Sequence, residues 1–398
     1  MRRSSWILAL GLGFAIAGCV SSGPTHVELA PVDCRPDFSD RGGWYGGDVA
    51  TSIPLGEGED RPRLWLFGDT FVERAAAPGR RAYPFVSNSV GVSRCDRETG
   101  WQFTAYWDAA DLAEPRGFFR PDAEADWVAE SLARSGRPPW YWPLAGFAHE
   151  GAIYVGLLRV EAAEAEGAFR LPFRSIGVDL AIVREPSGTP ADWEIELVAL
   201  SDASTLFPVS AFVVHAAHVH AVAFLDRGDG QRPRSLVRWP LRAFVQGTED
   251  LGGLVETLDR EGRWQPGLDP VQAAILFERD ATEMSLYADP TRDRFIAIAM
   301  EPGTTTIRRR IAERLTGPWS EPETIHEIEP PAVPNGAGAS FCYAAKAHPG
   351  LAPPDRLWLT WVCSRFARSP DEDLPVLRSL LEHEALYRPT AAEVAAPR

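Results

Sequence analysis

Five runs of one kind recur along the chain: RLWLFGDTF from Arg63, AIYVGLLRV from Ala152, HVHAVAFLD from His218, RFIAIAMEP from Arg294 and RLWLTWVCS from Arg356. With Trp65, Tyr154, His220, Ile296 and Trp358 as equivalent positions, the spacings are 89, 66, 76 and 62 residues. Each run follows another short strand-like stretch and a turn: GGDVATSIPL, WYWPLAGFAHEG, LFPVSAFVVHA, TEMSLYADPTR and SFCYAAKAHPG. A third strand comes after most of them, as in SNSVGVSRC and SIGVDLAIVRE. Alternating apolar runs separated by Gly, Pro and Asp turns predict strands. Hairpin units that cannot bury both faces alone must stack on their neighbours. The pattern therefore predicts an all-β chain, a five-bladed β-propeller of up-and-down blades. A two-sheet sandwich is the alternative, but it does not account for five similar hairpins. The stretch from Asp108 to Gly136 reads as an insert between blades one and two, and DWVAESLARSG within it has helical spacing. No linker divides the chain, so residues 43–390 are expected to form one propeller domain, with 391–398 as a tail.

The first 42 residues read differently. Arg2 and Arg3, the apolar run Trp6 to Ile16 and the small pair Ala17 and Gly18 have the layout of an export signal. Ile-Ala-Gly-Cys ending at Cys19 resembles a bacterial lipobox, which makes 1–18 a lipoprotein signal peptide and Cys19 the lipidated first residue of the mature chain. Residues 19–42 are then a tether and N-terminal strand, with Val27 to Val32 completing the last blade. The expected location is the cell envelope, periplasmic or cell-surface, on a lipid anchor in the membrane. Four further cysteines remain, Cys34, Cys95, Cys342 and Cys363. Cys342 and Cys363 can face each other across a hairpin, while four free buried thiols are the other reading.

Charge narrows the partners. The 398 residues carry 40 basic and 55 acidic side chains, a formal charge of −15. Loss of the leader removes two Arg and no acid, leaving −17. Such a balance excludes a general nucleic-acid binder, which needs clustered Lys and Arg. His215, His218 and His220 invite a metal reading, but they lie in an apolar alternating stretch and read as strand core and turn; no metal site is expected from spacing.

In up-and-down blades, the start of the first strand, the end of the second and the start of the third share one face of the disc. That face receives Asp48, Asp69 and Asn88 from blade one and Glu283 from blade four, where it opens the first strand. Opposed carboxyls suit glycoside hydrolysis, in which one protonates the leaving oxygen and the other activates water or attacks carbon. The competing reading of Asp in Gly-Asp-Thr is a turn residue capping backbone amides.

GGDVATSIPL, LWLFGDTFV, FVSNSVGV, YWPLAGF, TEMSLYADPTRDRFI, GPWSEPETIH and YAAKAHPG, in that order, resemble the bacterial family called domain of unknown function 4185, from about Gly43 to Pro389. That family stands with the five-bladed propeller glycosidases, alongside the family 43 arabinanases and xylosidases, and includes endo-D-arabinanases of glycoside hydrolase family 183. The resemblance implies that Asp48 is the general base or nucleophile, with Asp69 as acid or pKa modulator and Glu283 as the rival acid. It makes Asn88, Arg310, Lys346 and His348 candidate substrate-binding or channel residues, and Trp142 a platform for a sugar face. It implies no required cofactor and leaves room for calcium in the central channel. The expected function is a lipid-anchored, monomeric glycoside hydrolase acting on an arabinan-like or other furanose-containing polysaccharide. Blade three, LFPVSAFVVHAAHVH, brings no acid to the channel, and that keeps open a non-catalytic glycan-binding or scaffold propeller.

Composition adds one pointer. Of the 40 basic residues 39 are Arg and one is Lys346, while Asn occurs only at Asn88 and Asn335. A Lys kept in a sequence that otherwise uses Arg suggests a compact ammonium in a confined place. Strand alternation puts Lys346 and His348 on one side and Tyr343 on the other. Asn335, in Pro-Asn-Gly, reads as a turn.

Overall fold

The computed structural model describes residues 34–396 apart from 40–41, 57–60, 74–84, 97, 110–113, 167–170, 203–204, 229–230, 248–249, 290, 333–337, 368–371 and 384. The export signal, Cys19, the strand at Val27 to Val32 and the turn at Asn335 lie outside the described residues.

The protein is nearly all-β, a propeller of antiparallel meanders. The first meander contains Thr51–Pro54, Arg63–Phe67, Ser89–Asp96 and Gly100–Tyr106. The second contains Trp140–His149, Ala152–Glu166, Leu171–Val183 and Glu196–Asp202. A third begins with Leu206–His215, His218–Leu225 and Arg234–Pro240 and ends in two short strands. The fourth holds Met284–Asp289, Arg294–Met300, Thr306–Ala312 and Glu323–Glu327. The fifth is Ala339–His348, Arg356–Phe366 and Pro389–Ala395. The five recurring runs are the second strands of these sheets. Their first strands touch in ring order, first to second and onward to the fifth, and the fifth returns to the first. The last strand runs to Ala395, past the boundary at 390 expected from sequence.

Stacked sheets cover each other on both faces, so strands in the middle of the stack are buried along most of their length: Arg63–Phe67 is wholly buried, and so are the first eight residues of Leu206–His215. Gly156 sets one of these separations. A Cβ there would lie 2.7 Å from the Phe212 ring and 2.9 Å from Val209. The helix Asp126–Ser135 lies in the expected insert, capped at Gly136 with φ 69°. Arg134 fastens it to Glu161 of the second meander at 3.0 Å. His215 and His218 pair across a tight turn and His220 lies in the strand behind them, as the sequence suggests. Cys342 and Cys363 are register partners and form a disulfide, and Cys34 joins Cys95.

Polar contacts close the ring. Arg63 donates to the Pro349 carbonyl at 2.7 Å, and Thr51 Oγ1 to the Leu144 carbonyl at 2.8 Å. Lys346, 1% exposed, reaches furthest: from the fifth meander its Nζ donates to the carbonyl of Leu144 in the second at 3.0 Å and to that of Met284 in the fourth at 2.9 Å. Removing one partner of a buried hydrogen bond leaves the other unsatisfied, at about 1–3 kcal/mol per group. Lys346→Met is therefore expected to lower the unfolding free energy by about 2–5 kcal/mol, read from urea denaturation; a change below about 0.5 kcal/mol would show that the two carbonyls do not depend on the ammonium.

Candidate active site

Three strands of the first meander are interrupted and then continued by a second, smaller sheet. Trp44–Gly47 precedes Thr51–Pro54, Thr70–Val72 follows Arg63–Phe67, and Phe85–Val86 precedes Ser89–Asp96. Asp48, Asp69 and Asn88 sit in these three breaks. At the first break Val49 (φ 70°) and Ala50 (φ 49°) are consecutive left-handed residues with side chains, a conformation costing roughly 1–2 kcal/mol each. Backbone bonds hold it: Asp48 N–H to the Asp69 carbonyl and Gly68 N–H to the Asp48 carbonyl, both 3.2 Å. A Cβ on Gly68 would run into Asp48 Oδ1. The glycine of Gly-Asp-Thr thus makes room for the neighbouring carboxylate.

Each aspartate has a side-chain donor. Trp142 Nε1–H donates to Asp69 Oδ1 at 2.8 Å, and the Tyr343 hydroxyl to Asp48 Oδ2 at 2.9 Å. The latter corrects the alternation expected for the fifth meander. The pairing register shifts between Tyr343 and Lys346, where Ala344 takes φ 55°, so Tyr343 reaches the acids from the strand that also carries Lys346. Tyr387 stands behind Tyr343 and packs on Phe71 with ring centroids 4.8 Å apart.

Glu283 arrives from the fourth meander, one residue before Met284, whose carbonyl accepts from Lys346. The segment ahead of it is gripped by buried Arg234, which donates to the carbonyls of Ala281 at 3.2 Å and Asp280 at 2.6 Å. Burial pushes the Asp48 carboxyl up to about 7, against the Tyr343 hydrogen bond, with the Glu283 charge adding to the rise. Burial and the charge of Asp48 hold Asp69 well above the usual carboxylate range, partly offset by Trp142. Lys346 is drawn down to about 7 by burial, and the Glu283 charge works the other way. Two adjacent carboxyls in such surroundings retain a proton near neutrality, while a third approaches from across the ring.

Of the residues singled out from sequence, Asp48, Asp69, Glu283, Trp142 and Lys346 come together. Asn88 is fully buried, and its amide is a clip. It donates to the carbonyls of Phe119 and Tyr141, both 3.0 Å, and accepts the Phe119 N–H at 2.7 Å. His348 is also fully buried, its ring nitrogens 2.8 Å from the hydroxyls of Ser52 and Thr360. Arg310 pairs with Asp280 at 3.5 Å and lies over Phe277, one strand removed from the acids. Among the described residues no group of three or more His, Cys, Asp or Glu is placed to hold a metal ion. Sequence reasoning missed Tyr343, Tyr387 and Arg234. Arg234 opens the strand Arg234–Pro240 and is fully buried there, which its sequence position alone does not signal. A separate cleft of about 870 Å³ lies near Trp107, Phe118 and Trp193, and Asp48, Asp69 and Glu283 do not line it.

Two outcomes are expected. Asn88→Ala leaves two carbonyls and an amide without partners and lowers the unfolding free energy by about 2–4 kcal/mol in urea; an unchanged midpoint would contradict the clip. Asp48 titrates at about 7 folded against 3.8 as an ordinary carboxyl. The folded state therefore binds the extra proton, and stability falls as pH rises from about 4 to about 7. Asp48→Asn should flatten that part of a Tm against pH profile, and an identical slope in both proteins would argue against the raised carboxyl.

Residues 37–365 match the family model described as Domain of unknown function (DUF5005). The match is to that family and not to domain of unknown function 4185, which the motifs resemble. No curated protein matches the chain. Among solved structures, a candidate hydrolase from Bacteroides ovatus superposes with a TM-score of 0.60 at 16% identity, covering 89% of this chain and 86% of that one. That is a likeness of fold. An alpha-L-arabinanase mutant of Cellvibrio cellulosa gives 0.38 at 11% identity over 87% and 91% of the two chains. An endo-arabinase from Bacteroides thetaiotaomicron gives 0.40 at 11% over 88% and 95%.

Proposed function

The chain belongs to the DUF5005 family, and for this member we propose a five-bladed propeller glycoside hydrolase that acts on an arabinan-like or other furanose-containing polysaccharide. The protein works as a monomer outside the cytoplasm, on a lipid anchor at Cys19. The observation that carries the reading is the meeting of Asp48 and Asp69, which share a buried environment, with Glu283 from the opposite part of the ring. Hydrolysis of a glycosidic bond needs one carboxyl that holds a proton at working pH and another that is ionised, and dissimilar surroundings supply that difference. In this reading Trp142, whose Nε1–H bonds to Asp69, packs on a sugar ring beside the acids.

A second reading is a glycan-binding propeller without turnover. It is favoured by the third meander, whose first strand is apolar from Leu206 through Val209 and offers no acid. Incubating the mature chain with arabinans and other cell-wall glycans separates the two. Hydrolysis is expected for at least one furanose polymer, reduced about 10²-fold or more in Asp48→Asn and in Glu283→Gln. Binding without product from any glycan, unaffected by Asp48→Asn, would leave the second reading in place.

A further inference from the structure

The cleft of about 870 Å³ lies at the rim, where the connection leaving the outermost strand of the first meander, Gly100–Tyr106, meets the connection entering the outermost strand of the second, Glu196–Asp202. Three aromatic rings line it: Trp107 and Phe118 from the first connection, and Trp193 from the second. All three are half-buried and packed against the core, so part of each ring is fixed while part lines the cleft. The lining also carries acceptors at Asp108 and Glu114 and donors at Arg116 and Arg120. Arg120 gives an N–H to Asp108 at 3.0 Å with its side chain still 53% exposed, and Glu114 and Arg116 are exposed. The indole N–H groups of Trp107 and Trp193 are buried with no acceptor among the described residues. Both walls are held by bonds within the fold. Asp108 and Arg116 pair backbone to backbone at 3.1 and 2.9 Å. Asn88 holds Phe119, between Phe118 and Arg120, through its amide, and its carbonyl accepts the Phe118 N–H at 3.2 Å. Opposite, Thr189 Oγ1 donates to Asp192 Oδ2 at 2.7 Å and Trp193 N–H to the Pro190 carbonyl at 3.3 Å, which closes the short turn Pro190–Asp192 ahead of the Trp193 ring.

We infer that this cleft is a second carbohydrate site, which holds a few units of a neutral glycan chain apart from Asp48, Asp69 and Glu283. An aromatic ring has a broad apolar face that packs on the C–H face of a sugar. Each sugar hydroxyl both donates and accepts, and the lining offers partners of both kinds. A hydroxyl oxygen reaching either indole N–H would also satisfy a donor that the fold leaves unmet. An anionic ligand would meet Asp108 and Glu114 along with the two arginines, and like charges in contact are unfavourable. The volume falls in the range of roughly 300–1,000 Å³ usual for small-ligand clefts, whereas a protein partner covers a face of about 800 Å². Walls fixed in advance keep the ordering cost of binding low. The site is independent of turnover: it holds glycan whether or not the acids cleave it.

Affinity electrophoresis of the mature chain reads the binding directly, in native gels containing arabinan, arabinogalactan, xylan or the anionic polygalacturonate. At least one neutral glycan is expected to retard the protein. Trp193→Ala should raise the apparent Kd for that glycan about 10-fold or more, as the loss of an aromatic anchor does. Glu114→Ala combined with Arg116→Ala should raise it about 3-fold or more. Both of those side chains are exposed, so the double variant keeps the inference falsifiable if Trp193→Ala does not fold. No retardation by any neutral glycan, retardation by polygalacturonate alone, or equal retardation of the wild-type chain and the double variant would overturn it. So would retardation lost in Trp142→Ala and kept in both cleft variants, since that places the glycan at the acids. Product release is scored separately. Retention that depends on the cleft without hydrolysis leaves this site standing and removes the glycosidase reading; hydrolysis with retention untouched by the cleft variants does the reverse.

Discussion

A propeller has to satisfy its own axis, where the edges of the innermost strands meet around a central channel. Here a single ammonium does much of that. Lys346 belongs to one sheet and bonds to carbonyls of two others, so three sheets are referenced to one atom. Arginine is longer, planar and forked, and two carbonyls converging on one point suit a compact tetrahedral donor better. Below it, His348 joins Ser52 of the first sheet to Thr360 of its own, and Arg63 reaches Pro349. These buried polar contacts have to be complete, since any unmatched member would be costly in a low-dielectric core.

The same axis sets the character of the acids. Met284 and Glu283 are adjacent, so the contact that fastens the fourth sheet also brings a cation near a carboxylate. On the other side the first sheet breaks at Asp48 and Asp69, and its strands continue in the small three-stranded sheet beside the pair. Broken strands supply the polar groups while intact strands supply the frame. The left-handed pair Val49 and Ala50 is local strain that the surrounding bonds hold in place.

Much of the architecture was legible because it repeats. Five second strands, five preceding strands and the helical insert follow from periodicity and turn residues, and Asp48, Asp69 and Glu283 follow from strand direction. The phase of one strand did not. Alternation sends Tyr343 away from Lys346, and no residue in Phe-Cys-Tyr-Ala-Ala-Lys announces that Ala344 adopts a positive φ and shifts the register. Asn88 was found as an unusual residue in the right place, but rarity does not distinguish an amide that meets a ligand from one that clips a loop. Tyr387 enters from a connection near the chain's end, with no repeat to mark it. The identity of the ring was written in what recurs, and the fine placement of the site in exceptions to it.

The disulfide between Cys342 and Cys363 lies one residue from Tyr343. It cross-links the strand with the shifted register to its partner just before the irregularity, limiting how far that strand can slide back into regular pairing. Where thiols stay reduced, this restraint is missing and the phenol that meets Asp48 is less firmly presented. The hold on the acid pair therefore depends on a covalent bond that pairing alone does not supply: a reduced chain keeps the sheets of the ring without that restraint.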